Sequence, residues 1–323
     1  LFVMSDWQPG ASIHNLRRRA QVMSLVRNFF ANQSVMEVDV PVLSRSGVTD
    51  LNIDGICATL AGAPAYLQTS PEYFMKRLLA SGSGDIYCLG KAFRDSEIGH
   101  KHNPEFTLLE WYRCGWDEHQ LMSELGDLVS QLMNKPGASD LRVTKVSYAD
   151  CFQDKFGLNP HQASLSDLQD LAAKAGSSSW AGETRANCLD LIFSLKVEPQ
   201  LPEGLVFIYD YPECQAALAA ITTAEQGYKV SRRFEGFLDG LEIANGYFEL
   251  CDPVEQRRRF DQDNIAHQAA GKPIWDIDAK LLDAMRSGLP ACAGVALGLD
   301  RLLMSDLEVK SIDQVMPFSW LRC

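Results

Sequence analysis

His102-Asn103-Pro104-Glu105-Phe106-Thr107-Leu108-Leu109-Glu110-Trp111-Tyr112 is the stretch from which the rest of the chain can be read. Its second half alternates as a strand, so Phe106, Leu108, Glu110 and Tyr112 share one face. An aromatic ring, a carboxylate and a phenol in line suit a flat heterocycle at one end and a cationic group at the other. Taken alone, the same strand also reads as a sheet face under a helix, with Glu110 a stray surface charge. A second strand-like run, Ile86 to Arg94, precedes it, and the polar loop between them holds Gly99, His100, His102 and Asn103. No cysteine or carboxylate stands at ligand spacing from either histidine, so a loop or phosphate-facing role fits both better than metal binding.

Upstream, Leu16, Ala20, Val22, Met23, Val26 and Phe30 form an apolar stripe that predicts a helix over about 15–32. Val35 to Val40 alternates as a strand that Pro41 ends. Ser70-Pro71-Glu72 offers an N-cap serine, a proline at the first helical position and a carboxylate in the first turn, predicting a helix to about Gly82. Downstream, Ser164 to Ala175 reads as a capped helix and Leu205 to Tyr209 as a buried strand. Phe234 to Leu250 reads as a hairpin turning at Asp239-Gly240. Gly294 to Leu299 is an apolar, glycine-broken strand that runs into a helix from Asp300. Composition shows no break and no repeat, so a single domain over 1–323 is expected.

Two further groups carry chemistry. On a regular strand Glu242 and Glu249 would face opposite sides; a bulge at Asn245-Gly246 would bring both to one side. Paired carboxylates beside a phosphate site are hard ligands of the kind Mg²⁺ takes. The same pair on an edge strand could instead serve only to discourage aggregation. Arg94, at a strand end, can clamp a phosphate through a guanidinium fork. Arg301 follows Gly298-Leu299-Asp300 at a strand-to-helix junction, where glycine permits close approach of a nucleotide.

Bulk properties exclude several classes. The 323 residues are 46% hydrophobic, enough for a sizeable core. The net charge is −12, and the longest cationic runs are Arg17-Arg18-Arg19 and Arg257-Arg258-Arg259, so nucleic acid is disfavoured as the main partner. Nine scattered cysteines without CxxC spacing point to reduced thiols in a cytoplasmic protein. No apolar run reaches the ~20 residues that span a bilayer, so no membrane role is expected.

Phe93-Arg94 followed by the His102 to Tyr112 run resembles motif 2 of the class II aminoacyl-tRNA synthetases. Gly298 to Leu302 looks like motif 3 and Val35 to Pro41 like motif 1. Thr69-Ser70-Pro71-Glu72 and Gly240 to Leu250 are similar to segments of lysyl-tRNA synthetases. The resemblance covers about 13–304, and within that group the chain looks closest to the paralogues that modify elongation factor P. It implies an α+β fold, an antiparallel sheet flanked by helices, without an anticodon-binding domain, and a homodimer. It implies an ATP-dependent, AMP-forming ligase that activates (R)-β-lysine or lysine and passes it to elongation factor P, with tRNA an unlikely acceptor.

By that resemblance Arg94, Asp95, Ser96, Asn103, Phe106, Glu242, Ile243, Gly298 and Arg301 would bind ATP, with Phe106 and Arg301 sandwiching adenine. Glu242 and Glu249 would hold Mg²⁺. Ser70, Glu72, Glu110, Tyr112, Asn245, Glu249 and Ala296 would receive the lysine-like substrate. Arg94, Arg301, Glu242 and Glu249 form the catalytic set. Ala296 stands where lysyl-tRNA synthetases typically carry glycine, an added methyl suited to a β-amino acid. Ser96 replaces the usual motif 2 glutamate, with Glu97 one residue later, and Ser34 replaces a motif 1 glycine. A truncated lysyl-tRNA synthetase charging tRNA and a non-catalytic lysine- or ATP-binding paralogue are the competing readings.

Overall fold

A computed structural model describes residues 7–133 and 140–323. The chain divides into two compact units, 1–115 with 251–323, and 116–250. The first unit begins with α1 (Ile13–Asn32), then β1 (Met36–Glu37), β2 (Leu43–Ser44), β3 (Cys57–Leu60), β4 (Ala63–Leu67), α2 (Glu72–Ala80), β5 (Ile86–Phe93) and β6 (Glu105–Cys114). The second holds α3 (Glu118–Met133), β7 (Val143–Ser147), α4 (Tyr148–Phe156), α5 (Leu165–Ala175), α6 (Arg185–Ile192), β8 (Leu205–Pro212), β9 (Ile221–Thr223), β10 (Lys229–Leu238) and β11 (Leu241–Phe248). The chain then returns to the first unit with α7 (Pro253–Ala269), α8 (Ala279–Gly288), β12 (Cys292–Gly298) and α9 (Leu299–Asp306). This is an α+β arrangement. Among the described residues no helix is long and apolar enough to cross a membrane.

In the first unit β1, β5, β6 and β12 lie side by side. β5–β6 and β6–β12 are antiparallel, whereas β1 runs parallel to β5, so the sheet is mixed rather than purely antiparallel. α1 starts at Ser12, whose hydroxyl accepts from the Asn15 N–H, and its stripe buries Val22, Val26 and Phe30. Phe30 stacks on Tyr87 at 4.4 Å and meets Trp111 edge-on at 5.4 Å. A buried ionic knot ties this helix to the sheet: Arg19 donates to Asp300 and Thr107, and Asp300 also accepts from the Thr107 N–H at 2.6 Å. The strand expected over 35–40 shrinks to Met36–Glu37. Ser34 just before it has φ 58°, the left-handed conformation in which glycine is at ease.

In the second unit β11, β10, β8 and β7 are neighbours, with β9 on β10. Here β7 is parallel to β8 and the remaining pairs are antiparallel. Asp239 and Gly240 both have positive φ (50° and 74°), the two-residue turn whose twist matches a hairpin. α4 to α6 pack on β8 and β10 through an aromatic cluster in which Tyr148 stacks on Phe152 and Phe193 at 5.0 and 5.2 Å. α5 carries a reciprocal capping box between Ser164 and Asp167.

Candidate active site

β6 puts the aromatic–carboxylate–phenol line where the alternation predicts. Its register explains why a ligand has room there. Phe106, Leu108, Glu110 and Tyr112 face Ala92, Gly90, Cys88 and Ile86 on β5. On β12, Gly298, Ala296 and Gly294 lie opposite Leu108, Glu110 and Tyr112. Residues directly opposite share a face, so the large side chains of β6 stand in a trough walled mainly by small ones. Ala296 is the direct cross-strand neighbour of Glu110. Glu110 and Tyr112 are buried, and the Tyr112 hydroxyl donates to Glu110 at 2.8 Å. Burial, helped by the nearby Glu110 carboxylate, pushes the Cys88 thiol up to about 12, so it stays neutral beside that carboxylate.

Arg94 follows β5. Its guanidinium lies over the Phe106 ring, 5.1 Å from the centroid, and 3.6 Å from Glu97. The Arg94 Nε is buried and has no hydrogen-bond partner, an arrangement that fits an anionic oxygen. Asp95 turns its carboxylate onto the Ser96 N–H at 2.7 Å, and Ser96 has φ 62°. Arg301, in the first turn of α9, reaches the His102 Nε2 at 2.6 Å. Gly298 is the N-cap residue of that helix, with no side chain to close it.

Asn103 is occupied at both ends. Its amide donates to the Glu105 carbonyl at 2.6 Å and accepts from the Trp320 N–H at 2.8 Å, which pins the loop before β6 to the C-terminal segment. The Ser70 segment also differs in detail from the expectation. α2 starts at Glu72 with Pro71 as N-cap and without a side-chain cap; the Ser70 hydroxyl instead accepts from the Glu72 N–H at 3.3 Å. Proline brings no side-chain acceptor, so the serine caps from one position further out. Glu72 binds the buried Lys76 ammonium at 2.6 Å.

In the second unit the bulge exists but falls two residues earlier than expected. Gly236 pairs with Ala244 while Phe237 pairs with Glu242, leaving Ile243 as the extra residue. Beyond it the alternation resumes, so Glu242, Asn245 and Tyr247 share a face and Glu249 follows in phase. Glu249 is buried just past β11, where it bridges Ala219. Asn245 accepts from the Arg233 Nε at 3.3 Å.

Sequence reading missed Glu235. It stands opposite Asn245 on β10, held by Arg233 and by the Tyr211 hydroxyl at 2.6 Å. Burial raises its carboxyl to about 7; Arg233 opposes that shift and Glu242 adds to it. Its place on the same hairpin as Glu242 was the available clue. Among the described residues no group of three or more His, Cys, Asp or Glu could hold a metal ion, so Mg²⁺ would rely on a carboxylate pair plus oxygens of its substrate.

The family model for class II tRNA synthetases (D, K and N) matches residues 5–322. The chain is 44% identical to the elongation factor P–(R)-β-lysine ligase of Erwinia tasmaniensis over 99% of its own length and all of the relative's. It is 45% identical to the ligase of that name from Vibrio parahaemolyticus, over 98% of each chain. The one from Vibrio vulnificus is 44% identical, again over 98% of each. The chain therefore belongs to the class II tRNA synthetase family, in the branch of the elongation factor P–(R)-β-lysine ligases.

Proposed function

We propose that this ligase activates (R)-β-lysine with ATP and transfers it to a lysine side chain of elongation factor P. What carries the reading is the buried Glu110–Tyr112 pair in its trough of small residues, in a chain akin over nearly its full length to ligases named for that reaction. A carboxylate backed by a phenol, closed off from water, favours an ammonium group and rejects an anion.

In the first step a carboxylate oxygen of the amino acid attacks the α-phosphorus of ATP, and the bond to pyrophosphate breaks. No protein nucleophile is needed, so the chain's task is positioning and charge neutralisation. Arg94 offers its unpartnered Nε to the α-phosphate. Phe106 and Arg301 take the adenine, with Gly298 leaving the backbone open to it. Asp95, Ser96, Asn103 and Ile243 line the nucleotide. Mg²⁺, when bound by Glu242 and Glu249, screens the phosphate charge. Ser70, Glu72, Asn245 and Ala296 shape the pocket around the amino acid. In the second step an acceptor amine attacks the acyl carbon, the carbon–oxygen bond to AMP breaks, and the amine's surplus proton is released. The working form is a cytoplasmic homodimer.

ATP–pyrophosphate exchange across (R)-β-lysine, α-lysine and ornithine, with and without purified elongation factor P, tests this. Exchange should be strongest with a lysine isomer, and label should pass to the factor. Glu249→Gln should lower exchange at least about 100-fold with the fold intact, as expected for loss of a group acting on the transition state. Background exchange with every substrate would defeat the proposal, and passage of label to tRNA would favour the truncated synthetase.

A further inference from the structure

Of the run Arg17-Arg18-Arg19 on α1, the last member turns inward and is buried. Its guanidinium is shared among three partners. Nη1 donates to one Asp300 oxygen at 2.5 Å and to the Val315 carbonyl at 3.1 Å, and Nη2 donates to the Thr107 hydroxyl at 2.5 Å. The other Asp300 oxygen accepts the Thr107 N–H at 2.6 Å, which closes a ring of three residues. Thr107 and Asp300 are buried as well. All of these groups belong to the first unit.

A buried ion pair adds little net stability, because desolvation offsets the attraction, and apolar side chains of similar volume would hold helix and sheet together as well. Its geometric effect is larger. Thr107 on β6 and Asp300 in the first turn of α9 cannot slide past each other without breaking a charged hydrogen bond away from water. Phe106 directly precedes Thr107 and Arg301 directly follows Asp300. Successive side chains on a strand leave opposite faces, so Thr107 meets Arg19 behind the sheet while Phe106 stands on the front. We propose that Arg19, Asp300 and Thr107 are positioning residues that set, from behind the sheet, the width of the adenine slot between Phe106 and Arg301. The inference rests on the function proposed above, in which those two side chains take the base.

The test uses the full chain with Thr107→Val, Thr107→Ser and Arg19→Lys. Valine keeps the main-chain bond to Asp300 and removes the acceptor for Arg19, whereas serine restores that acceptor. Lysine keeps a charge for Asp300 but lacks the fork that reaches Thr107 at the same time. Pyrophosphate exchange gives the KM for ATP and for (R)-β-lysine, and its inhibition by inorganic tripolyphosphate reports the phosphate contacts without a base. In Thr107→Val and Arg19→Lys the KM for ATP should rise about tenfold, equivalent to roughly 1.4 kcal/mol. The KM for (R)-β-lysine and the tripolyphosphate inhibition constant should stay within about twofold, and Thr107→Ser should bring the KM for ATP back to within about threefold of the unaltered protein. Loosening of the whole fold would move all three constants together; that result, or an unchanged KM for ATP in Thr107→Val, would overturn the proposal. Thr107→Val, which loses a single hydroxyl, carries the test should Arg19→Lys not fold. Unaltered protein that binds ATP no better than tripolyphosphate is a different failure and strikes the adenine assignment in the proposed function itself.

Discussion

Ala296 and Glu110 are a directly opposed pair on β12 and β6, so one methyl sits beside the carboxylate assigned to the substrate. Removing it enlarges the trough where an α-amino acid and a β-amino acid differ. Ala296→Gly should therefore shift the ratio of exchange rates toward α-lysine, by ~5-fold or more on the usual scale for one methyl group. An unchanged ratio would discard the idea. His161 provides a pH test. It stacks on Tyr228 at 4.6 Å, and burial lowers its pKa to about 4. The fold therefore holds it neutral while the unfolded chain takes up a proton near pH 6.5. Its contribution is complete above pH 6.5 and is lost as pH falls toward 4. Urea denaturation of His161→Phe, which keeps the stacking, should show a flatter decline over that window than the parent; parallel curves would refute it. At this scale the sequence was legible where side chains follow the period of their strand. Phe106, Glu110 and Tyr112 are such a case. It was blind where partners come from elsewhere in the chain, as with Asn103 held by Trp320 or Glu235 held by Tyr211.

Local chemistry fixes the elements well. Asp239-Gly240 marks the hairpin turn because few other residues tolerate two consecutive positive φ angles. No atom stands within 4 Å of a Cβ built on Gly240, so a side chain there meets only backbone strain. Gly240→Val should cost ~1–2 kcal/mol in urea unfolding, and an unaltered midpoint would contradict the turn assignment. The position of the bulge was harder to see. Asn245-Gly246 looks irregular, yet both residues pair in register, and the extra residue is the β-branched Ile243. A bulge is set by how two strands share their hydrogen bonds, which one strand's composition does not state. The shortness of β1 has a similar origin, since only Met36 and Glu37 pair in register with β5, and the Val38 N–H makes the last bond to that strand, to the Tyr87 carbonyl at 2.8 Å.

For the molecule as a whole, α+β class and family membership could be read from motif order, whereas the division at Gly115 and Leu250 left no mark in composition. Both boundaries fall beside strands in ordinary polar and apolar sequence, with no Pro- or Ser-rich linker. The proposed homodimer finds support in the motif 1-like segment, where Met36, on the edge strand β1, exposes 48% of its surface. Apolar side chains on an edge strand call for a cover. Sedimentation should give about twice the 35.9 kDa chain mass, and Met36→Asp should shift the protein toward the monomer. A monomer at all concentrations would remove that assignment.

The guanidinium resting on the Phe106 ring has a consequence for how a nucleotide would arrive. A base that stacks on the ring face Arg94 covers displaces the guanidinium, and the phosphates of the same nucleotide offer that cation a new partner. Loading then becomes an exchange of partners in which the ring is never left bare to water. Base and phosphate recognition are coupled through a single side chain: fragments such as adenosine, which can dislodge Arg94 but give it nowhere to go, should bind far more weakly than their stacking surface alone suggests.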